Sequence, residues 1–186
     1  MKDLYLMRHG ETKYNVELRV QGWSDSPLTD KGIKQAEVAR EYYRNNNIMF
    51  DHVYSSSLKR ACVTAEIVCD MKYEIRDDLK EWHFGLAEGM YFKEMKEMPH
   101  GGFFKQYGGE DEEECRNRIV KAISEIMVKE DNKKVLIVSH GGSIMQFKKA
   151  WQNYTNINVD RLGNCSILHY EYDNGIFYLK EVIHHD

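Results

Sequence analysis

The most constraining feature of the sequence is the run Lys133–Ser139 (KKVLIVS), whose apolar core Val135–Val138 leads directly into His140-Gly141-Gly142. A strand without polar alternation is buried on both faces, as in parallel sheets that helices cover on both sides. A second predicted strand, Asp3–Met7, leads in the same way into Arg8-His9-Gly10. The sequence therefore predicts two buried strands that each end at a histidine followed by glycine.

Strand-like and helix-like segments alternate along the chain. A helix is predicted after Thr29, a good N-cap, because Ile33, Ala36, Ala39 and Tyr43 follow at helical spacing. The other predicted elements are a strand at Phe50–Tyr54, a helix with apolar residues from Leu58 to Val68, a weak strand at Tyr73–Arg76, helices around Ile119–Ile126 and Ile144–Trp151, and a hairpin of Cys165–Tyr172 and Ile176–Ile183. This alternation predicts an α/β fold with a mostly parallel sheet between two layers of helices.

Length and composition exclude several classes of protein. The 186 residues fit one domain, with 42% hydrophobic and 30% charged residues in a soluble globular balance. A net charge of −4 gives no basic field for nucleic acid or an anionic membrane. No apolar stretch is long enough to span a bilayer, and the N-terminus has no signal-peptide core. The four cysteines show no metal-binding spacing, so we expect reduced thiols and a cytoplasmic protein.

The residues at the predicted strand ends suggest a phosphate site. Parallel sheets bind ligands beyond the carboxyl ends of their strands, where His9 and His140 fall, and free N–H groups of a following helix favour an anion. Arg8 and Arg60 supply guanidinium groups, which match phosphate oxygens in pairs. Glu81 is better suited to protonate a leaving oxygen than to bind an anion. Arg8 beside His9 argues against a metal ion, because it would repel a cation.

Each of these residues alone is weak evidence, since a lone histidine is more often structural and a lone glutamate is usually on the surface. The remaining histidines show no such pattern and are expected to be structural or exposed; they are His52, His83, His100, His169, His184 and His185.

Five segments in order resemble the motifs of the histidine phosphatase superfamily, the phosphoglycerate mutase-like family, over nearly the whole chain. They are LYLMRHGETKYN, QGWSDSPLTDKG, VYSSSLKRACVTA, LKEWHFGLAEG and VLIVSHGG. The resemblance implies a three-layer α/β/α sandwich with a mixed, mainly parallel central sheet, formed by residues 1–186 as a single domain. It also implies a transient phosphohistidine and no metal or other cofactor.

Matching positions carry the family's roles to this chain. His9 would be the nucleophile and Glu81 the general acid and then the base, with Arg8, Arg60 and His140 completing the catalytic set. The residues implied to bind the phosphoryl group or the rest of the substrate are Arg8, Asn15, Gln21, Gly22, Arg60 and His140. Trp23 and Ser24 are expected to pack the loop.

The resemblance leaves the phosphoryl acceptor open, and two departures favour water. Glu81 and His140 are 59 residues apart (140 minus 81), which is short compared with mutases, and Phe84 stands where mutases tend to carry a tyrosine. We therefore predict a metal-independent phosphomonoesterase acting on a small phosphorylated metabolite. The alternatives are a cofactor-dependent phosphoglycerate mutase and a catalytically silent domain that binds phosphate esters. Either a monomer or a homodimer is compatible with the sequence.

The segment at about 85–110 fits no regular element and is rich in methionine, aromatic residues and glycine. We predict an insertion that folds over the active site and sets the substrate preference. The alternative is that its apolar side chains only pack the segment against the sheet, since methionine often fills gaps.

Overall fold

The computed structural model describes residues 1–95 and 101–185 of the chain. In these residues six strands form one sheet: β1 Lys2–Arg8, β2 His52–Ser56, β3 Glu74–Arg76, β4 Lys134–Ser139, β5 Ile167–Asp173 and β6 Ile176–Ile183. Their order is β3-β2-β4-β1-β5-β6. The first four in this order pair in parallel, and β5 and β6 add an antiparallel hairpin beside β1. The predicted mixed, mainly parallel sheet is confirmed.

Helices cover both faces of the sheet: α1 Lys13–Val16, α2 Asp30–Asn45, α3 Lys59–Val68, α4 Glu112–Val128 and α5 Gly141–Ala150. The side chains of β1 alternate between the two faces. Leu4 and Leu6 join a core cluster with α4 and α5, whereas Tyr5 and Met7 join a cluster with α2 and α3. Each such side chain contributes roughly 1.5–3 kcal/mol by burial. The predicted three-layer α/β/α sandwich is confirmed.

Local sequence signals explain where several elements begin and end. Thr29 Oγ1 accepts a hydrogen bond from Gly32 N at 3.0 Å, so α2 begins at the predicted N-cap. Asn174 and Gly175 have φ values of 48° and 86°, the left-handed conformations that a tight two-residue hairpin turn needs. The hairpin and the start of α2 are therefore predictable from single residues.

Four details differ from the predictions. β1 includes Arg8, so the strand ends after the arginine and not before it. β2 begins at His52, two residues later than predicted. Just before it, the side chain of Asp51 accepts the hydrogen bond from Lys134 N at 2.7 Å, in place of a backbone carbonyl. β5 begins at Ile167, because Cys165 has a left-handed φ of 56°. Ile33 is 38% exposed and is not part of the buried stripe of α2.

The described parts of the segment 85–110 form three short 3-10 helices, Gly85–Ala87, Phe92–Glu94 and Phe103–Tyr107. Tyr91 forms an isolated bridge with Arg19, which ties this segment to the loop after α1. Met98 and His100, which the predictions included, lie outside the described residues. That the segment is a lid within a single domain stays a prediction. In the described ranges, no helix is long and apolar enough to cross a membrane.

Candidate active site

A pocket of about 600 Å³ opens where β1 and β4 end. Six of the predicted site residues line it: Arg8, His9, Asn15, Gln21, Gly22 and Glu81. The other two, Arg60 and His140, do not line the pocket but are buried close by, with 1% and 0% of their surface exposed. The rings of His9 and His140 lie 5.3 Å apart between centroids. The fold thus brings the predicted residues together in two layers, one facing the pocket and one buried.

His9 follows the last residue of β1, and its backbone N–H donates to Ser139 O of β4 at 3.1 Å. Its Nδ1 lies 2.7 Å from Gly10 O. A carbonyl oxygen only accepts, so Nδ1 carries the proton and Nε2 keeps its lone pair in the neutral ring. Burial, reinforced by the charges of Arg60 and Arg8, holds the pKa of His9 well below its usual value. The imidazole is therefore neutral and oriented at neutral pH.

The glycine after His9 is required by a close approach of two backbones. A Cβ on Gly10 would lie 2.5 Å from Gly32 O in α2, and one on Gly32 would lie 2.1 Å from Glu11 O. The two glycines let the first turn of α2 pack directly against the strand end that carries the histidine.

His140 is the N-cap residue of α5. Its Nε2 lies 2.7 Å from Ser56 Oγ, which in turn accepts from Leu58 N at 3.2 Å. Its Nδ1 is buried and has no hydrogen-bond partner among the described residues. Burial, with the positive charge of Arg60 next in size, places the pKa of His140 well below its usual value. Ser56 was missed from the sequence, because a serine in a strand gives no sign of its partner.

Arg60 uses both terminal nitrogens of its guanidinium within the chain. One donates to Ser24 O at 2.8 Å and to Asp25 Oδ1 at 3.1 Å, and the other donates to Gly22 O at 2.6 Å. Nε is buried without a hydrogen-bond partner in the described residues. Nη1 thus uses both of its hydrogens, whereas Nε–H and the second hydrogen of Nη2 have no acceptor among the described residues. Arg60 therefore holds the loop 22–25 in place and keeps two donors, and its binding of phosphate stays a prediction.

Arg8 connects the segment before β5 to the site. Its Nη1 donates to Leu162 O at 2.6 Å, and its buried Nε has no hydrogen-bond partner in the part of the chain that the structure describes. Asn164 Nδ2 donates to His9 O at 3.1 Å. The segment before β5 thus belongs to the site, which the sequence did not predict because nothing in its composition marks it.

The Glu81 carboxylate occupies the N-terminus of α5. Oε2 accepts from Gly142 N at 3.0 Å, and Oε1 accepts from Ser143 N at 2.7 Å and from Trp82 N at 2.8 Å. The expectation that these N–H groups are free to bind an external anion is therefore wrong. Negative charge is favoured at a helix N-terminus, and here the chain supplies it.

Two side chains hold the backbone carbonyl of Glu81. Trp23 Nε1 donates to Glu81 O at 2.7 Å, and Arg118 Nη2 donates to it at 3.0 Å. Trp23 also stacks on His83 with ring centroids 4.2 Å apart. The predicted packing role of Trp23 therefore includes positioning of the glutamate.

A second carboxylate, Glu88, organises the loop that holds Arg60. Oε1 accepts from Trp23 N at 2.9 Å and from Phe84 N at 3.1 Å, and Oε2 accepts from Ser24 N at 2.7 Å. Glu88 lies within a family-like motif in the sequence, but a charge alone did not identify its partners. The Glu88 carboxylate therefore links the segment around residue 23 to the segment around residue 84.

Asn15 and Gln21 each use the carbonyl end of the amide within the chain. Asn15 Oδ1 accepts from Thr12 N at 3.1 Å, and Gln21 Oε1 lies 3.0 Å from Thr12 Oγ1 and 3.1 Å from Ser26 Oγ. The NH2 groups are thereby the ends left to donate to a ligand in the pocket. Across residues 1–95 and 101–185, no group of three or more His, Cys, Asp or Glu side chains is placed to hold a metal ion.

Comparison with known proteins identifies the family. The model of the histidine phosphatase superfamily (branch 1) matches residues 4–184. The chain belongs to this superfamily. The "probable phosphoglycerate mutase GpmB" of Proteus mirabilis is 34% identical to this superfamily member over 193 residues, covering 94% of this chain and 86% of that protein.

Solved structures of other proteins share the fold of this superfamily member. YhfR of Bacillus stearothermophilus superposes with a TM-score of 0.84 at 30% identity, covering 96% of this chain and 95% of that one. A phosphoserine phosphatase mutant from Entamoeba histolytica, solved with phosphoserine, superposes with a TM-score of 0.82 at 27% identity, covering 98% and 96% of the two chains. Its relatives thus include proteins named as phosphatases and proteins named as mutases.

Proposed function

We propose that this protein is a metal-independent phosphomonoesterase that hydrolyses a small phosphorylated metabolite through a phosphohistidine at His9. The observation that supports this best is a set of three buried nitrogens around His9. Arg8 Nε, Arg60 Nε and His140 Nδ1 have no hydrogen-bond partner within the described residues. A buried donor without a partner costs about 1–3 kcal/mol, and a phosphoryl group would satisfy all three with its oxygens.

In the first step, the lone pair on His9 Nε2 attacks phosphorus. The P–N bond forms as the bond from phosphorus to the ester oxygen breaks. The two arginines stabilise the charge that spreads over the equatorial phosphoryl oxygens, and His140 donates to one of them through Nδ1. Glu81, in its protonated form, transfers its proton to the leaving alkoxide.

In the second step, water replaces the alcohol. Glu81, now a carboxylate, takes a proton from the water as its oxygen attacks phosphorus, and the P–N bond breaks. The products are inorganic phosphate and neutral His9 Nε2, so the site returns to its starting state. Two attacks by different nucleophiles replace one difficult displacement.

Water is favoured as the acceptor because the pocket carries a phenyl ring where a mutase tends to have a hydroxyl. Phe84 lines the pocket and packs against Phe104 and Trp82, with ring centroids 4.3 Å and 5.9 Å away. Such a ring offers no hydrogen bond to an alcohol or acid held for a second transfer. We also propose a cytoplasmic location, consistent with four free thiols and a net charge of −4.

The test is hydrolysis of p-nitrophenyl phosphate in the presence of EDTA. We expect turnover by the wild-type protein and only background release by His9→Ala. His52→Ala is the matched control, because His52 is a surface histidine 3.1 Å from Asp131 and outside the pocket. Acid-labile label on the protein after brief exposure to a ³²P-labelled ester would identify the intermediate.

The alternative reactions give different products. A phosphoglycerate mutase would convert 3-phosphoglycerate to 2-phosphoglycerate in the presence of the bisphosphate, with little free phosphate. A silent binding domain would bind phosphate esters without turning over any member of a broad panel. Full activity in His9→Ala would contradict the phosphohistidine mechanism.

A further inference from the structure

The segment before β5 brings an arginine to the pocket. Arg161 lines the cavity, and the residue after it is fixed because Leu162 O accepts from Arg8 Nη1 at 2.6 Å. Further along, Cys165 N donates to Arg8 O at 3.1 Å and Asn164 Nδ2 donates to His9 O at 3.1 Å. The backbone of Arg161 is therefore held next to the proposed phosphate site at several points.

Four other charged side chains along the pocket have hydrogen-bond or ion-pair partners in the chain. Glu11 accepts from Thr29 Oγ1 at 2.9 Å, Arg19 pairs with Glu17 at 2.7 Å, Asp160 accepts from Asn158 Nδ2 at 2.7 Å, and Glu81 caps α5. Each of these side chains is oriented before any ligand binds.

Arg161 is different. Its side chain is exposed to the pocket, and it has no hydrogen bond or ion pair with any residue that the structure describes. Burial lowers the pKa of Arg8, and the nearby positive charge of Arg161 adds to that effect. The field of this guanidinium thus reaches the arginine of the phosphate site, and its own donors are uncommitted.

The pocket is larger than a phosphoryl group needs. Its cavity of about 600 Å³ extends from His9 to the apolar side chains of Leu18, Phe92 and Met145. Alongside these apolar contacts, Arg161 supplies a positive charge that has no ion pair with a described residue, next to Asp160 in the same wall. A guanidinium prefers flat, two-oxygen anions such as carboxylates and phosphates.

We propose that Arg161 selects the substrate, and that the substrate is a small phosphate ester with a second anionic group at the end remote from the ester bond. That group is a carboxylate or a second phosphate, and Arg161 binds it while the ester phosphate lies at His9. The inference rests on the phosphomonoesterase function proposed above, and it concerns a cation from the segment before β5 and not one from the segment 85–110.

The experiment compares substrates that differ only in the second anion. Phosphoserine carries a carboxylate that phosphoethanolamine lacks. 3-Phosphoglycerate carries a carboxylate where glycerol 3-phosphate has a CH2OH group. Fructose 6-phosphate and fructose 1,6-bisphosphate differ by one phosphate. We expect a KM about tenfold lower for the substrate with the second anionic group in at least one pair, equivalent to ~1.4 kcal/mol. Which pair responds distinguishes carboxylate from phosphate.

Arg161→Ala should remove that advantage and change the KM of p-nitrophenyl phosphate, which has no second anion, much less than the KM of the substrate that carries the second anion. Arg161→Lys should keep part of the advantage, because it keeps the charge but not the fork. The matched control is Arg44→Ala, which removes an arginine paired with Glu41 and Asp70 on α2, outside the pocket. The control should leave every KM unchanged.

Two results overturn the inference. One is that no pair differs in KM in the wild-type protein. The other is that Arg161→Ala raises the KM of both members of a pair equally. In both cases p-nitrophenyl phosphate is still hydrolysed, so the proposed function stands. Failure of the proposed function is a separate result, namely no hydrolysis of any ester by the wild-type protein.

Discussion

Glu81 and Ser143 are joined by two contacts: Ser143 N donates to Glu81 Oε1 at 2.7 Å, and Ser143 Oγ lies 3.2 Å from the same oxygen. The same hydroxyl donates to Lys80 O at 2.7 Å. The proposed acid is thus bound to the first turn of the helix that follows His140. The proposed acid, Glu81, and a proposed phosphate-binding residue, His140, are therefore both positioned at one helix end.

This contact predicts the effect of a methyl group at Gly142. A Cβ there would lie 2.7 Å from Glu81 Oε1, the flexible end of a side chain, so the carboxylate would move and the fold would not. General acid–base catalysis contributes about 10²–10⁴-fold, so we expect Gly142→Ala to lose about 10- to 100-fold in kcat with little change in Tm. The control is Gly102→Ala, whose Cβ would meet nothing nearer than Lys105 Cγ at 3.9 Å. An unchanged kcat would contradict the assignment of Glu81.

Asp25 is predicted to stabilise the fold through Arg60. Its carboxylate accepts from Arg60 Nη1 at 3.1 Å and from the backbone N–H groups of Lys59 and Arg60, where α3 has no side-chain cap of its own. Asp25 is partly exposed, which reduces the value of the ion pair. With the lost cap, we expect Asp25→Ala to lower the free energy of unfolding by about 2 kcal/mol.

Urea denaturation measures this loss. The control is Asp70→Ala, because Asp70 pairs with Arg40 and Arg44 but is 72% exposed. We expect its effect to be below ~1 kcal/mol. If the two substitutions lowered the free energy of unfolding equally, the contact of Asp25 with buried Arg60 would stabilise the fold no more than an exposed ion pair.

The low pKa values of His9 and His140 predict a pH dependence of stability. Both histidines titrate near ~6.5 when unfolded and well below that when folded. Between those values the unfolded chain binds more protons, so stability is complete above ~6.5 and is lost as the pH falls below it. Each histidine contributes a slope of up to ~1.4 kcal/mol per pH unit.

NMR titration of the imidazole carbons should show His9 and His140 neutral at pH 6 in the folded protein and titrating near ~6.5 in urea. Urea denaturation over the same pH range should show a shallower slope for His9→Asn than for the wild type, by about one proton. A folded-state midpoint at or above the unfolded value would contradict the low pKa.

Glu88 is predicted to be needed for the position of Arg60. Glu88→Gln would turn an NH2 group toward backbone N–H groups of Trp23, Ser24 or Phe84, which are all donors. These N–H groups are part-buried or exposed, so leaving one without an acceptor costs about 1 kcal/mol, and we expect a loss of that size in stability together with a lower kcat/KM. Glu94→Gln is the control, since Glu94 accepts from Tyr91 N at an exposed site. Wild-type stability in Glu88→Gln would contradict this role.

The layers and strand polarity were predictable from sequence because burial leaves a direct pattern. Val135–Val138 are apolar at every position and lie in the most central part of the sheet. Asn174-Gly175 has the conformational freedom that its turn needs. Strand ends were predicted less well, because they depend on single contacts from elsewhere in the chain, such as Asp51 to Lys134 N.

The members of the candidate site were predictable, but not what their atoms contact. Residue type and position place Arg60 near His9, yet only the fold shows that its terminal nitrogens bind Ser24 O, Asp25 and Gly22 O. Glu88 and Ser143 were missed for the same reason. Their importance lies in partners distant along the chain, and a sequence records no distances between such residues.

The order of the strands also divides the molecule into regions of different local stability. β4 and β1 lie at the centre of the sheet, flanked on both sides by other strands, and they lead directly into His140 and His9. We expect their amides to exchange with deuterium mainly by global unfolding, and amides near Arg161 to exchange by local opening. The nitrogen proposed to attack phosphorus is thus next to the central strands, and the wall proposed to contact the substrate is in a segment outside them. Sequence changes in that wall therefore alter what is bound at little expense to the stability of the strands that carry the chemistry.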